Sequence, residues 1–283
     1  MVEPVAQKPD ANDLLSLIPA IRRARGYRLY DGSGRRYLDL YQDGGRSLLG
    51  HRPARMGAVL KNLISKGLIS DLPSVYVGRL ERALLRRFPG FSAARIAASR
   101  QAAVELASLF LGRRVEEGMI LDPVRPPREA ERAPEAELAY WRPFGPPPQP
   151  RLRVLLPIVP FAMARAPHLL CFREPPPEGF PPSDCLSPLL LAGALRALHD
   201  LESHRLADWY REDLLARAPG WLQRGIYVFS TAPAGGYREI FERFLQAGFL
   251  LSPRRDGPSI LPAEASPGEV KKMIKLFREN PGK

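Results

Sequence analysis

The residues best placed to do chemistry in this chain sit where a short apolar run gives way to a helical pattern. Residues 95–98 read as a strand, and Ser99-Arg100-Gln101-Ala-Ala-Val-Glu105 then opens a helix with Ser99 as its N-cap. A helix start presents free backbone N–H groups and the positive end of the macrodipole. The turn therefore favours an anion, and Arg100 either stays solvated there or helps to hold a phosphate or a carboxylate. Other reactive types point to bland roles. Cys171 lies in an apolar strand and reads as core, and with Cys185 it forms no metal or disulfide framework. His51 belongs to a Gly-His turn, His168 begins a strand, and His199 and His204 are not at the i, i+4 spacing of a metal pair on a helix. No metal site is expected. Lysine is absent between Lys66 and Lys271, so imine chemistry has no amine nucleophile there.

Elements that would position these residues follow from periodicity. Strands are expected at 95–98, 118–122, 153–159 and 168–172, apolar runs of the kind that fill a buried parallel sheet. Helices at 79–87, 101–111 and 189–204 alternate with them, which argues for an α/β sandwich. An amphipathic helix after the Gly50-His51 turn carries Met56, Val59, Leu60, Leu63 and Ile64, with Lys61 and Lys66 as solvated charges. After Leu206 the pattern becomes a helix, a strand at 225–231, a helix at 237–247, a strand at 249–252 and a final helix at 267–279, an α+β lobe. At the other end, Asp31-Gly-Ser-Gly34 is a turn signal between two short strands. Three regions result: 1–75 as an N-terminal arm and hairpin packing on the small lobe, 76–204 as a reduced large α/β domain, and 205–283 as the small α+β domain.

Several segments, taken in order, resemble class III aminotransferases, the fold type I pyridoxal-phosphate enzymes that include the glutamate-semialdehyde aminomutases. They are Gly26-Tyr-Arg-Leu-Tyr-Asp31 through Asp39, Leu49-Gly50-His51-Arg-Pro53, the Ser99 turn, Pro157-Ile-Val159 through Arg165, Pro167-His-Leu-Leu-Cys-Phe-Arg-Glu174, Ser187-Pro188 through Leu198, and Gly248 through Pro253. The resemblance implies a fold type I α/β protein with a reduced mixed or parallel sheet flanked by helices, shorter than a typical member, and homodimeric. It implies pyridoxal phosphate as the family cofactor, with Ser99, Arg100, Gln101 and Ser183 at a vestigial phosphate site. The Schiff-base lysine position falls on Glu174 and that of the pyridinium aspartate on Pro157. A carboxylate cannot form an imine, and proline offers neither charge nor backbone donor. No covalent cofactor is therefore expected. The expected protein is an aminotransferase-like pseudoenzyme with a binding or interaction role, holding at most a small anionic ligand in its vestigial cleft.

Two other readings remain beside it. One is an enzyme that works in the ancestral cleft without an internal aldimine, with Glu174 as general base; against that, Glu174 precedes three prolines and reads more simply as an exposed loop carboxylate. The other is nucleic-acid binding, invited by a net charge of +12. The basic residues are mostly arginines spread along the whole chain with no nucleic-acid-binding motif, which argues against it. Pro-rich stretches at 122–127, 143–150 and 175–182 read as surface connections or, alternatively, as ligands for a protein partner. Two cysteines and no long apolar run suit a cytoplasmic protein without a membrane span.

Overall fold

Short apolar strands in the middle of the chain pair into a four-stranded sheet: β4 (Ala93–Ala97), β5 (Leu138–Trp141), β6 (Val154–Pro157) and β7 (His168–Phe172), in the order β4-β7-β6-β5. In this computed structural model, residues 14–279 are described except 52, 54 and 126–135. The charged stretch 125–137, between the first two Pro-rich runs, lies largely outside them. Residues 45–204 form one unit, and the chain before and after them forms a second.

In the central unit β5 and β6 are parallel, whereas β7 runs antiparallel to both of its neighbours, β6 and β4. The sheet is thus mixed. Helix α3 (Arg100–Leu111) lays Ala103, Leu106, Ala107 and Phe110 on a face made by Ala97, Val154, Leu156, Leu170 and Phe172. The Phe110 and Phe172 ring centroids are 4.5 Å apart. The alternate residues Ala94, Ile96, Leu155, Leu169 and Cys171 are buried as well, so both faces of the sheet are covered. Helix α2 (Val75–Arg87) packs on β4 and on α4 (Pro188–Ser203), and α4 packs on α1 (Met56–Ser65). Hydroxyl caps start these helices: Ser99 accepts from the Ala102 amide at 3.0 Å, Ser74 from Tyr76 at 3.2 Å and Ser187 from Leu189 at 3.3 Å.

One sequence expectation changes here. Residues 118–122 form no strand; a 3-10 turn spans Glu117–Met119 and Leu121 makes only an isolated bridge to Ala139. The sheet position is filled instead by Leu-Ala-Tyr-Trp of β5, too short beside Arg142-Pro143 to show a period.

The second unit holds two sheets. In one, β1 (Ile21–Arg25), β2 (Arg28–Asp31), β3 (Arg36–Asp39) and β10 (Phe249–Leu250) lie in sequence order, with β10 parallel to β3. The other has the order β11 (Ser259–Ile260), β9 (Tyr227–Ser230), β8 (Trp221–Arg224). Turns rather than the expected helix follow Leu206. The Asp31 turn is built as its residues suggest: one carboxylate oxygen accepts from the Ser33 amide (2.9 Å), the Ser33 hydroxyl (2.7 Å) and the Arg35 amide (2.9 Å). Trp221, Phe244, Phe249 and Phe277 form an aromatic core with α5 (Tyr237–Gln246) and α6 (Pro267–Arg278).

Glu269 ties this unit together. On the first turn of α6 it closes a capping box with Ser266 and accepts two bonds from Arg28 of β2, at 2.7 and 3.2 Å. Burial alone would raise its pKa, but the Arg28 bonds and the Ser266 amide prevail and bring it down to about 2. A carboxyl whose folded pKa lies below its unfolded value stabilises fully above the unfolded pKa and loses that contribution as pH falls through the folded one. Glu269→Gln should therefore cost about 1–2 kcal/mol at neutral pH, a difference from the parent that shrinks between about pH 4.5 and pH 2. Urea unfolding at several pH values reads this; a pH-independent difference would contradict it.

In the central unit, α4 carries Gly193 where the buried Phe161 ring rests on the helix backbone, and a Cβ there would overlap the ring. Gly193→Ala should destabilise by about 1–3 kcal/mol through overpacking. Adding Phe161→Leu should recover part of the loss; unchanged stability in the single variant would show that the ring is not seated there.

Candidate functional site

Because β7 is reversed, the C-terminal ends of β4, β5 and β6 share one end of the sheet with the N-terminal end of β7. This is the end at which open α/β sheets place their ligands. Ser99, Arg100 and Gln101 follow β4 there, all three exposed. The Ser99 hydroxyl is engaged as the α3 cap, and Gln101 donates to Glu105 one turn on, at 2.9 Å. Arg100 turns inward to the sheet end, donating to the Tyr140 hydroxyl at 2.9 Å with its guanidinium 5.8 Å from that ring's centre.

Glu174 is not brought to this end. It lies two residues past Phe172, which pairs with Ala93, whereas Ser99 lies two residues past Ala97, which pairs with His168. The five-residue strand pair between them is about 14 Å long. At its own end the exposed Glu174 accepts from Arg153 at 3.2 Å, Arg153 reaches Glu137 at 3.3 Å, and Glu137 reaches Arg113 at 3.2 Å. A carboxylate in a solvated chain of ion pairs is a structural surface group.

Ser183 is built into the sheet's edge. Its hydroxyl accepts from the Ile96 amide at 2.9 Å and donates to Glu81 at 2.7 Å. The next residue continues the pattern: the Asp184 amide donates to the Ile96 carbonyl at 2.8 Å, and its carboxylate accepts from the Ala98 amide at 2.7 Å.

What the shared end of the sheet does contain is a small cavity of about 50 Å³, room for a few waters or one small ion. Apolar walls come from Leu156 to Val159, Phe161, Ala166, Pro167, Leu169 and Ala194; the polar lining is Arg46, Tyr140 and His168. No lysine and no carboxylate line it. Acids near this end are engaged: Asp184 as above, and Asp122 by the Arg142 guanidinium at 2.7–3.0 Å. Pro157 closes β6 opposite Trp141 and faces the cavity. The His168 ring has no hydrogen-bond partner among the described residues, and Arg46 has no acidic one. Burial, then the charges of Arg46 and Arg100, push His168 down to about 4.

Arg46, Tyr140 and His168 were not singled out from the sequence as a site. Arg46 follows a Gly-Gly turn, Tyr140 lies in the strand that showed no period, and His168 reads as a strand start. Only the fold brings them together. Elsewhere Cys171 is buried and its thiol pushed up to about 12, consistent with a core role. Among the described residues no group of three His, Cys, Asp or Glu could hold a metal ion, and no helix is long and apolar enough to cross a membrane.

A histidine kept neutral by the fold but free to protonate when unfolded makes stability fall with acidification. The unfolded chain binds the extra proton first, so stability should rise with pH between about 4 and 6.5. In His168→Gln the slope over this window should flatten; an unchanged slope would place the effect elsewhere.

No family model matches the chain. An uncharacterised protein of Treponema pallidum (strain Nichols) is 28% identical over 86% of this chain and 88% of its own length. The glutamate-1-semialdehyde 2,1-aminomutase of Heliobacterium modesticaldum is 31% identical over 97 residues, 33% of this chain but only 22% of that enzyme. Among solved structures, the β-phenylalanine aminotransferase of Variovorax paradoxus superposes with a TM-score of 0.68 at 14% identity, covering 92% of this chain and 86% of that one. Together with the mixed sheet and its flanking helices, this similarity gives the chain the α/β architecture of fold type I pyridoxal-phosphate aminotransferases.

Proposed function

We propose that this chain is an aminotransferase-fold protein without aldimine chemistry, a pseudoenzyme that uses the small remnant of the fold's cofactor cleft to bind a small ligand non-covalently. One observation carries the reading: the cavity at the strand ends is lined by neither an amine nor a carboxylate. Pyridoxal-phosphate catalysis needs a lysine amine to form the imine and to move protons, and an acid to keep the ring nitrogen protonated. The lysine-free interval from 67 to 270 spans every strand and helix around the cavity except α1, so the inference does not depend on where a family position is assigned. Lys61 and Lys66 belong to α1 and the residue after it and do not line the cavity.

Size agrees with chemistry. Pockets for drug-sized ligands occupy about 300–1,000 Å³, against about 50 Å³ here. The residues present do not fit pyridoxal phosphate as a covalently held group, and no reaction step is derived through it. What they do fit is a compact polar ligand: Arg46, the Tyr140 hydroxyl and the His168 ring supply the polar lining, and the remaining walls are apolar.

Purified protein incubated with pyridoxal phosphate should show the spectrum of the free aldehyde, no mass increment after borohydride, and no transaminase turnover with any amino donor. A shifted visible band together with a covalent increment mapped to a lysine would overturn the reading.

A further inference from the structure

We propose that this cavity is a binding site for a small oxyanion, a phosphate or a carboxylate group, with Arg46 as its main charge partner and His168 and Tyr140 completing its polar wall. The proposal rests on the reading of the cavity as a non-covalent site.

Three observations on different elements converge. Arg46, from the turn that precedes α1, lines the cavity and is half-buried without a carboxylate or carbonyl partner among the described residues. A partly desolvated guanidinium with no counter-charge is stabilised by an incoming anion, and its planar fork of donors suits oxyanion oxygens. Arg100, at the start of α3, adds a second positive charge next to the cavity, held in place by its bond to Tyr140. Both arginines act on the half-buried His168, whose ring has no hydrogen-bond partner among the described residues and faces the same space.

Arg46, Arg100, Tyr140 and His168 are the charged and titratable groups gathered there, and the side contributed by β6 and its following loop is apolar. Arg46 therefore brings to this space a positive charge that no acidic residue among the described ones offsets. A single anion neutralises it, can accept from Arg46, and gives His168 a partner. The volume sets the limit on size: the oxyanion group itself enters, and any larger molecule that carries it must extend outward.

His168 supplies a direct reporter. An anion beside it replaces repulsion by attraction, so the imidazolium is favoured and its titration midpoint moves up from about 4 when the site fills. No residue is consumed and no bond is made; the event is binding with proton uptake at His168.

The test titrates full-length protein, without cofactor, with inorganic phosphate in one arm and acetate in the other, at constant ionic strength set by chloride. The readouts are isothermal calorimetry and the His168 ring signals by NMR, assigned by their loss in His168→Gln. The expected result is saturable one-to-one binding of at least one of the two anions, with an upward shift of the His168 midpoint, weakened at least about tenfold in Arg46→Ala. Phosphate binding alone points to phosphate-bearing ligands and acetate binding alone to carboxylates. If Arg46→Ala does not fold, Arg46→Gln serves in its place, with unfolding curves as the check on both. No saturable binding of either anion, or binding that survives loss of the Arg46 charge, overturns the proposal. An imine in the pyridoxal-phosphate experiment would sink the reading of the cleft instead, and the cofactor-free titration keeps the two failures apart.

Discussion

The reversal of β7 between β4 and β6 is the constraint on which the central unit depends. A strand that runs against both neighbours puts its own beginning, not its end, beside the ends of the others. Whatever follows β7 is carried to the far end of the sheet, and whatever precedes it is delivered to the ligand end. Hence His168 enters the cavity and Glu174 leaves it. The surrounding features follow from this placement. The loop from β6 to β7 must turn back within ten residues, from Ile158 to Pro167, with Arg165 at φ 61 in the left-handed region. Phe161 on that loop fills the space above the strand ends because Gly193 lets the ring reach the helix backbone. A small cavity is what remains.

Electrostatics distinguish the two ends of this sheet. At the far end Glu174, Arg153, Glu137 and Arg113 alternate in sign and satisfy one another at the surface. At the ligand end Asp122 and Asp184 are withdrawn into bonds with Arg142 and the Ala98 amide, so that Arg46 stands beside His168 with no acidic partner among the described residues. Paired charges in water are worth little. A half-buried guanidinium such as that of Arg46, with no acid beside it among the described residues, is an incomplete arrangement that a ligand can finish.

Much of the scaffold was legible in the sequence, because its signals are local. Ser99 before an apolar helical run, Pro188 after Ser187, and the Asp31-Gly-Ser-Gly34 turn each state their structure through hydrogen bonds made within a few residues. Apolar runs such as His168–Phe172 are long enough to announce a buried strand. What was not legible is pairing direction. Nothing in Leu-Leu-Cys-Phe says whether its neighbours run with it or against it, and the choice is made by long-range packing. A linear match could therefore set Glu174 and Ser99 into one site, while the folded chain separates them. Arg46, Tyr140 and His168, far apart in sequence and each ordinary in its own segment, carry no joint signal until the sheet is formed.

Ser183 has a role beyond the phosphate site in which the sequence placed it, and Asp184 shares that role. Strand β4 is the outermost of its sheet, and such a strand offers unpaired amides and carbonyls to any other extended chain. Here a loop led in by Pro181 and Pro182 supplies a hydroxyl, an amide and a carboxylate to Ile96 and Ala98, imitating a neighbouring strand for a few atoms and then leaving. Proline on the approach prevents this stand-in from lengthening into a strand that could recruit another. The proline-rich connection thus works as a terminator of the sheet, guarding the protein against self-association by edge addition.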